Sequence, residues 1–293
     1  MPCYGPLTAY YSKELNPTGK RSLIFDRRAS HSGVAVKLPC GQCIGCRLER
    51  SRQWAMRCMH EKRVCNAESS FVTLTYDNKN MPSECSLSVR DLQLFMKRLR
   101  KRTGDGVRFY ACGEYGETTF RPHYHILLFN RDFSDKKFYK NAGCGEKLWN
   151  SSTLDELWPF GFNVIGDVTF DSCAYVARYI VKKITGDKAE AHYGGRLPEF
   201  TVMSRRPGIG FSWYEKYGEH AYALDSVVMN GKEIRPPRYY DTKYELVDSD
   251  QLALLKKKRL RAAIDATRGE TNRRRVTKEE FERQKLTLKQ RSV

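Results

Sequence analysis

The amino-acid sequence predicts an α+β fold, in which helices pack on one side of a central antiparallel sheet. Two observations predict it. Segments rich in β-branched and aromatic residues are interspersed with amphipathic segments, but the two kinds do not alternate as strict βαβ units. Two of the strand-like segments are also separated by one short turn, and a turn that short joins antiparallel strands.

The elements of this predicted sheet follow one another between residues 71 and 184. The run FVTLTYD (71–77) has the composition of a strand. Ser88 suits the N-cap of an amphipathic helix whose apolar positions are Leu92, Phe95, Met96 and Leu99. Further elements are predicted as strands at 107–115 and 123–129, a short helix near 154–158, a strand at FNVIGDV (162–168) and a helix over about 172–184.

Length and composition set the domain organisation. With 293 residues, 40% of them hydrophobic, the chain can bury a full core, and we expect one principal domain with extensions. These are a cysteine-containing module over residues 1–66, a core over 67–190 and an extension with a basic tail over 191–293. Because the sequence has no run of roughly eighteen apolar residues and no signal-peptide core, we expect a soluble, intracellular protein without a membrane partner.

A histidine pair in the run RPHYHILLF (121–129) is the first candidate for chemistry. In an extended strand, His123 and His125 project from the same face and Tyr124 projects from the other. Two imidazoles on one face can bind one divalent ion. The alternative, a cross-strand polar pair without a metal, stays open at this point.

The segment VRFYACGEYG supplies a carboxylate for the same site. If the turn that follows is centred between Thr118 and Thr119, Glu114 falls opposite His123. One carboxylate and two imidazoles leave coordination positions open for a phosphate oxygen. A slip of one residue would turn Glu114 to the other face, and Glu117 would then be the fallback ligand.

A tyrosine pair lies about fifty residues further on, in AYVARYIVKK (174–183). Residues four apart share one face of a helix, so Tyr175 and Tyr179 lie one turn apart, with Lys182 on the same stripe. Beside a metal ion, this pattern is typical of a nuclease with a tyrosine nucleophile. The alternative is ordinary core packing by an amphipathic helix.

The order and spacing of these motifs resemble those of a known family. FVTLTYD, GEYG with RPHYHILLF, and YVARYIVKK match the three motifs of HUH-type rolling-circle replication initiators, which are specific as a set and weak singly. The segments MPCYGPLTAY, PCGQCIGCRLERSRQWAMRC and MSRRPGIG are similar to the gokushovirus branch of the microviruses. The resemblance covers most of the chain up to about residue 215.

The resemblance implies a fold, a set of residue roles and a reaction. The fold is an HUH endonuclease core with a ferredoxin- or RRM-like sheet. The implied roles are metal ligands for Mg or Mn at His123 and His125, nucleophiles at Tyr175 and Tyr179, and assistance near the phosphate by Lys182 or Lys183. The reaction nicks origin DNA, leaves a 5′-phosphotyrosine link and rejoins strands during replication of a circular single-stranded DNA phage genome.

The resemblance also implies partners. The substrate is single-stranded and origin DNA, and the setting is the cytoplasm of a bacterial host cell. The sequence has no phosphate-binding loop of the Walker A type, so we expect a host helicase to unwind the DNA and a host polymerase to extend the freed 3′-hydroxyl. A plasmid or transposon relative of the same nuclease is an alternative, and so is a non-catalytic, zinc-stabilised DNA-binding protein.

The charge distribution favours a polyanionic partner. The chain carries 52 Lys and Arg against 34 Asp and Glu, a net charge of +18, and half of that excess falls within residues 251–293. A solvated helical or disordered tail is the alternative interpretation. The expected phosphate contacts are Arg121, Lys256, Lys257, Lys258, Arg259, Arg273, Arg274 and Arg275.

Ten cysteines in a chain without a secretion signal indicate reduced thiols or a metal cluster. Cys40, Cys43 and Cys46 form a CxxCxxC motif before a predicted helix over 47–61, and Cys3 is the candidate fourth ligand of a tetrahedral structural zinc site. Three alternatives remain open. Another cysteine (Cys58 or Cys65) can replace Cys3, the spacing also fits an iron–sulfur cluster, and the residues can be ordinary reduced thiols.

Overall fold

The computed structural model describes residues 3–116, 118–143, 145–182, 184 and 186–287, without the side chains of 179–182, 188 and 287. The described residues form two compact units. One consists of the residues up to Glu49 together with those from Ile264 onward, and the other of Arg50–Ala263. Among the described residues, no helix has both the length and the apolar character needed to cross a bilayer.

The strands of the described residues are β1 (Leu7–Leu15), β2 (Arg21–Ile24), β3 (Val36–Leu38), β4 (Ser70–Tyr76), β5 (Arg108–Tyr115), β6 (Pro122–Phe129), β7 (Lys137–Asn141), β8 (Lys147–Asn150), β9 (Gly161–Asp167), β10 (Phe200–Met203), β11 (Val227–Met229) and β12 (Lys232–Ile234). The helices are α1 (Ile44–Arg63), α2 (Val89–Thr103), α3 (Ser152–Leu157), α4 (Phe170–Lys182), α5 (Lys188–Tyr193), α6 (Phe211–Leu224), α7 (Arg238–Tyr244), α8 (Ser249–Ala266) and α9 (Asn272–Thr287).

The first unit combines segments from both ends of the chain. It contains an antiparallel sheet of order β2-β1-β3, in which Ala9 on β1 is fully buried. The carboxylate of Glu279 on α9 accepts a hydrogen bond of 3.3 Å from the backbone N–H of Ile44, the first residue of α1. An acidic side chain at this position satisfies a backbone donor that the helix itself leaves unpaired and also complements the helix dipole.

The second unit is built on a seven-stranded sheet of order β10-β5-β6-β4-β9-β8-β7, and every pairing in it is antiparallel. The predicted α+β class with an antiparallel sheet is therefore confirmed. Both strands of the predicted pair, 107–115 and 123–129, lie near the middle of this sheet as β5 and β6. The predicted strands at 71–77 and 162–168 are β4, which pairs with β6, and β9, which pairs with β4 on its other side.

Helices cover both faces of the sheet, so the expectation of helices on one side was wrong. On one face, Leu74 and Ile126 pack with residues of α2 and α3. On the other, Leu127 packs with residues of α1 and α4, including Val176. The reason can be seen in the sequence of β6, where Ile126, Leu127 and the two residues after them are all fully buried. A strand that is apolar at consecutive positions needs cover on both sides.

The helix boundaries agree with the predicted ones to within a few residues. Ser88 caps α2 by accepting a hydrogen bond of 3.1 Å at its hydroxyl from the backbone N–H of Asp91. The helix predicted over 47–61 is α1, which is longer at both ends, and the predicted tyrosine helix is α4. Over its described residues the basic tail forms α8 and α9, which settles the choice between helix and disorder.

A third apolar cluster joins α1 to the helices that follow the sheet, with Met56, Tyr222 and Leu252 among its buried members. At its centre the imidazole of His60 stacks on Trp213, with ring centroids 3.7 Å apart, and its Nδ1 lies 2.9 Å from the hydroxyl of Tyr240. Burial, together with the nearby charge of Arg63, lowers the pKa of His60 from 6.5 to about 3. The folded protein therefore holds this imidazole neutral.

The neutral His60 predicts a loss of stability in acid. The unfolded chain takes up the proton at about pH 6.5 and the folded chain only near pH 3, so folding free energy is lost as the pH falls between these values, by up to about 1.4 kcal/mol per pH unit. His60→Phe keeps a ring on Trp213 but removes the titration. We expect a less stable variant with a flatter dependence of urea unfolding on pH from 6.5 to 4.5. His220→Phe, at an exposed histidine, should keep the wild-type slope, and an unchanged slope in His60→Phe would contradict this account.

Candidate metal and nucleophile site

The register of β5 and β6 places the first candidate residues. Glu114 lies directly opposite His123, and Cys112 lies opposite His125, so the register predicted from the turn is confirmed. The turn is closed by hydrogen bonds from the N–H of Gly116 to the carbonyl of Arg121 and from the N–H of Phe120 back to Gly116. Glu117, the fallback ligand, lies outside the described residues.

Three side chains converge on one point of the sheet face. Oε1 of Glu114 lies 2.5 Å from Nε2 of His123 and 2.8 Å from Nε2 of His125. Glu114 and His125 are almost fully buried, with 3% and 1% of their surface exposed, while His123 is partly open to solvent. The group therefore has one open side and otherwise lies within the protein.

In each imidazole, Nε2 lies near Glu114 and Nδ1 has another partner, and that partner helps to determine which nitrogen carries the proton. Nδ1 of His123 lies 3.0 Å from the carbonyl oxygen of Arg121, which can only accept, so this nitrogen carries a proton. In the neutral ring, Nε2 then presents a lone pair towards the carboxylate oxygen of Glu114. Two acceptors in such close contact require a cation or a second proton between them. Nδ1 of His125 is held at 2.9 Å by the hydroxyl of Thr73.

The charge state of Glu114 suits a metal ion. Burial raises the pKa of Glu114. The charge of His125 and the hydrogen bonds from both imidazoles outweigh burial and lower this pKa to about 2. The carboxylate is therefore ionised at neutral pH. Its other oxygen, Oε2, is buried and has no hydrogen-bond partner, which is costly for a carboxylate unless another ligand takes that position. The three residues meet the geometric requirement for one shared ion.

A tyrosine reaches the same group from α4. The hydroxyl of Tyr175 donates to Oε1 of Glu114 at 3.4 Å, and its ring meets that of His125 edge to face at 5.1 Å. The ring of Phe71 lies against both, stacked on His125 and edge-on to Tyr175. The predicted approach of the tyrosine helix to the histidine pair is thus present in the structure for the first tyrosine.

The local sequence explains how α4 holds Tyr175 there. Thr169 and Ser172 exchange hydrogen bonds between side chain and backbone at the start of the helix, at 2.8 and 3.1 Å. Val176 and Ala177 are buried against the sheet, so Tyr175 lies at the edge of the packed face. Of the other predicted residues on this helix, the side chains of Tyr179 and Lys182, and Lys183 as a whole, lie outside the described part of the chain.

A second group of candidate ligands lies in the first unit. Each of four cysteines (Cys3, Cys40, Cys43, Cys46) offers a sulfur to one point. The sulfur of Cys3 lies 3.6 Å from that of Cys40 and 3.9 Å from that of Cys43. Cys3 therefore supplies the fourth sulfur, and neither of the other candidates for that position, Cys58 or Cys65, belongs to the group.

Backbone N–H groups surround these sulfurs. The N–H of Cys40 donates to the sulfur of Cys3 at 3.2 Å, and that of Tyr4 donates to Cys43 at 3.3 Å. Burial raises the pKa of Cys43, but hydrogen bonds from the backbone of Cys46 and Tyr4, and from neighbouring thiols, outweigh it and bring the pKa to about 7. For Cys43 these donors stabilise the thiolate, the form of cysteine that binds metal.

The predicted phosphate contacts have different surroundings. Lys256, Lys257, Lys258, Arg273 and Arg274 are exposed. Arg121 is partly exposed and donates to the carbonyl of Tyr76. Arg275 pairs with Glu270 and is mostly buried.

Arg259 was predicted as a phosphate contact, but its side chain is only 9% exposed. It donates to the carboxylates of Asp225 and Asp241, at 2.9 Å from Nε to Asp225 and at 3.0 Å from Nη1 to Asp241. The two acidic residues lie far from Arg259 in the sequence, so their presence could not be anticipated. The guanidinium is committed to this buried ion pair and holds α8 in place.

Two residues of the site were missed in the sequence, Phe71 and Thr73. Both belong to the run FVTLTYD, which was identified as a strand but not as part of the site. Because side chains alternate between the faces of a strand, Phe71 and Thr73 of β4 share the face on which the histidines lie, and Thr73 lies opposite His125. This alternation could have indicated both residues. The pairing of β4 with β6 was needed before that signal could be used.

The described residues thus combine an antiparallel sheet with a group of two histidines and a carboxylate on one face, and with a tyrosine hydroxyl beside that group. Residues 69–184, which include this entire site, match the family described as replication-associated protein ORF2/G2P. No solved structure matches the chain.

Three curated relatives extend the match beyond that segment. The replication-associated protein VP4 of Bdellovibrio phage phiMH2K is 33% identical over 84% of this chain and 78% of its own length. The replication-associated protein ORF2 of Spiroplasma virus 4 is 33% identical over 78% and 75%, and ORF4 of Chlamydia phage 1 is 29% identical over 73% and 55%. The chain belongs to this family of phage replication-associated proteins, and the resemblance to the microvirus initiators is confirmed.

The first prediction of this site concerns metal binding. Saturating Mn²⁺ should raise the melting temperature of the wild-type protein, since a ligand at a hundred times its Kd adds about 2.7 kcal/mol to folding. His123→Gln with His125→Gln keeps a hydrogen-bond donor for Glu114 but removes both imidazoles, so the shift should disappear. Thermal melts with and without Mn²⁺ measure this. His220→Gln should retain the full shift, and a full shift in the double variant would exclude the histidine pair as ligands.

Proposed function

We propose that this chain is a metal-dependent tyrosine endonuclease and strand transferase that initiates rolling-circle replication of a circular single-stranded DNA phage genome. The main support is the convergence of Glu114, His123 and His125 beside the hydroxyl of Tyr175. The names of the relatives, each a phage replication-associated protein, support the biological setting. A non-catalytic DNA-binding protein has no need for a tyrosine in contact with such a group.

The proposed ligands of the catalytic ion are His123, His125 and Glu114. Magnesium suits a site that combines a carboxylate with open positions for phosphate oxygens. Manganese suits the same site and also binds imidazole nitrogens. When bound, such an ion polarises a phosphoryl oxygen and stabilises charge in the transition state. The hydrogen bonds from Nδ1 of His123 to the carbonyl of Arg121, and between Nδ1 of His125 and the hydroxyl of Thr73, would keep both rings oriented towards it.

The proposed nucleophile is the phenolic oxygen of Tyr175. It attacks the scissile phosphorus, the bond from phosphorus to the 3′-oxygen breaks, and that oxygen leaves as a 3′-hydroxyl after gaining a proton. The phenolic proton faces Oε1 of Glu114, the acceptor 3.4 Å away. The products are a 5′-phosphotyrosine link and a free 3′-end. Because the link conserves the phosphodiester energy, the same reaction run backwards rejoins strands without ATP.

The second tyrosine has a proposed role in strand exchange. Position 179 follows 175 by one turn of α4, so the two phenols can serve the same phosphate site in succession. While Tyr175 holds the first 5′-end, Tyr179 can cleave the next copy of the origin. Lys182 or Lys183 would assist near the phosphate. A host polymerase would extend the 3′-end, and a host helicase would open the duplex ahead of it.

The cysteine group has a proposed structural role, as a zinc site. A Zn–S distance of about 2.3 Å places the sulfurs of a tetrahedral site about 3.8 Å apart. The distances of 3.6 and 3.9 Å from Cys3 to Cys40 and Cys43 bracket this value. A cluster of several irons distributes its four thiolates over more than one metal atom and therefore holds some of them farther apart than a single ion does. With four protein ligands the site has no open position for chemistry.

The covalent step predicts a specific loss in phenylalanine variants. Tyr175→Phe keeps the ring beside His125 and removes the nucleophilic oxygen, so adduct formation through this residue should fall by at least about a thousandfold. The assay incubates the protein with supercoiled DNA carrying the phage origin and Mn²⁺, and looks for DNA–protein adduct that resists denaturant. Mass spectrometry of the wild-type adduct locates the linked residue.

The double variant and a distant tyrosine complete this test. Tyr175→Phe with Tyr179→Phe should form no adduct while still binding DNA. Tyr139→Phe, at an exposed tyrosine of β7, should form adduct as the wild type does. A persistent adduct in the double variant, or a link at a tyrosine outside α4, would remove this helix from the reaction.

The zinc proposal predicts the metal content of the purified protein. Elemental analysis should find about one zinc per chain, because the four sulfurs form one closed site. Cys43→Ser with Cys46→Ser should lose the zinc and increase proteolysis of the residues up to Glu49. Cys85→Ser, at an exposed cysteine outside the group, should change neither. A zinc-free, stable wild-type protein would show that these are ordinary thiols, and bound iron would favour the cluster.

A further inference from the structure

An exposed aromatic residue lies in register with the candidate metal site. Across the sheet, Glu114 on β5 lies opposite His123 on β6, His123 lies opposite Thr75 on β4, and Thr75 lies opposite Phe162 on β9. Residues directly opposite one another project from the same face. Phe162 therefore shares the face of the metal site, two strand spacings or about 10 Å from His123.

Phe162 is 71% exposed, although it lies on an interior strand of a sheet of seven strands. Asn163 and Ile165 of β9 project from the opposite face of the sheet. Asn163 donates to Asp155 on α3, and Ile165 is buried in the core beneath α2 and α3. On the site face, α4 packs on β5, β6 and β10. The face of β4 and β9 beside the site, formed by Thr75, Phe162 and Val164, remains open. We call it the open face.

The backbone under Phe162 is fixed by a close approach of two strands. Gly161 has φ of +149°, and a Cβ atom there would lie 2.3 Å from the backbone nitrogen of Asp77 and 2.6 Å from the carbonyl oxygen of Thr75. The N–H of Asp77 also donates to the carbonyl of Phe160 at 2.9 Å. No residue with a side chain fits at 161, so β9 begins tightly against β4. Phe162 is thus presented from a rigid position.

Positive charge borders the open face at both ends. At one end, the guanidinium of Arg121 is held by the carbonyl of Tyr76 and by Asn78, and Tyr76 lies opposite Gly161. Two of its five N–H donors make these bonds, which leaves donors for a phosphate. At the other end, Lys140 of β7 lies opposite Leu148 of β8.

Leu148 projects from the same face as Phe162, because its side chain lies over Gly166 beside Phe71. The described positions that β4, β9 and β8 present on this face are Phe71, Thr73, Thr75, Phe162, Val164, Gly166, Leu148 and Asn150. None carries a carboxylate. A polyanion crossing this face would meet cations at its borders and no acidic group between them.

We propose that Phe162 is a base-stacking residue for single-stranded DNA and positions the strand whose phosphate enters the site of His123. The inference rests on the proposed function and deepens it by naming the residue that holds the strand. An exposed aromatic ring on a rigid sheet, bordered by cations, is how proteins bind unpaired bases without reading their sequence. A duplex hides its base faces, so the open face selects for DNA that is already single-stranded.

The test measures DNA binding without cleavage. A fluorescein-labelled oligothymidylate is titrated with full-length protein in EDTA, and anisotropy gives the Kd. Phe162→Ala should weaken binding roughly 5- to 150-fold, the equivalent of about 1–3 kcal/mol for one stacked base. Phe162→Trp should bind at least as tightly as the wild type. Because the ring is exposed, neither change should lower the melting temperature.

Two controls isolate stacking from charge. Phe138→Ala changes a phenylalanine of the same sheet that is 59% exposed but lies opposite Trp149, on the other face, and it should leave the Kd within about twofold. An abasic oligonucleotide of equal length keeps the phosphates and removes the bases. Wild type and Phe162→Ala should bind it equally.

The outcomes separate this inference from the proposed function. An unchanged Kd for Phe162→Ala, or an equal loss on the abasic oligonucleotide, would overturn the stacking role whether or not the protein forms an adduct with DNA. A loss confined to DNA with bases would support it even if the Tyr175 assay failed. In that case the open face would bind single-stranded DNA in a protein whose nuclease chemistry had been misassigned.

Discussion

The antiparallel pairing of β5 with β6 is the constraint on which the site depends. It places Glu114 opposite His123 and, through the period of two, brings His125 to the same carboxylate oxygen. A slip of one residue would turn the carboxylate to the opposite face, into the apolar layer below α2. The turn between the two strands fixes this register, because the N–H of Gly116 donates to the carbonyl of Arg121 and closes the hairpin at that pair. The geometry of the site therefore depends on the turn that follows β5.

The two candidate metal groups differ in the number of ligands that the protein provides, four in one and three in the other. The four cysteines offer four sulfurs to one point, and backbone N–H groups of Cys40 and Tyr4 donate to two of them. The group at Glu114 provides three ligands, is open at His123, and has a carboxylate oxygen without a partner. A closed set of thiolates stabilises a fold, whereas an open set of mixed ligands leaves room for a substrate.

Local sequence patterns predicted β4, α2, β5, β6, α3, β9 and α4 of the second unit. The strands β4, β5 and β6, the cap at Ser88 and the turn before Arg121 each depend on residues close together in the chain, and the structure has all of them. What the sequence did not reveal depends on distant partners. The sheet of the first unit was not predicted, because its strands pair in short, irregular registers. The role of Arg259 was missed because its acidic partners are far away in sequence.

The construction of the first unit from both ends of the chain has a consequence for biosynthesis. The residues up to Glu49 leave the ribosome first, but the segment from Ile264 onward that completes their unit emerges only after Arg50–Ala263 has been made. Contacts between such distant segments form slowly, since a long loop must close before they can be made. The seven-stranded sheet can fold before the segment from Ile264 onward is available to the residues up to Glu49. A nascent chain interrupted before α9 would hold a finished sheet and an unfinished first unit.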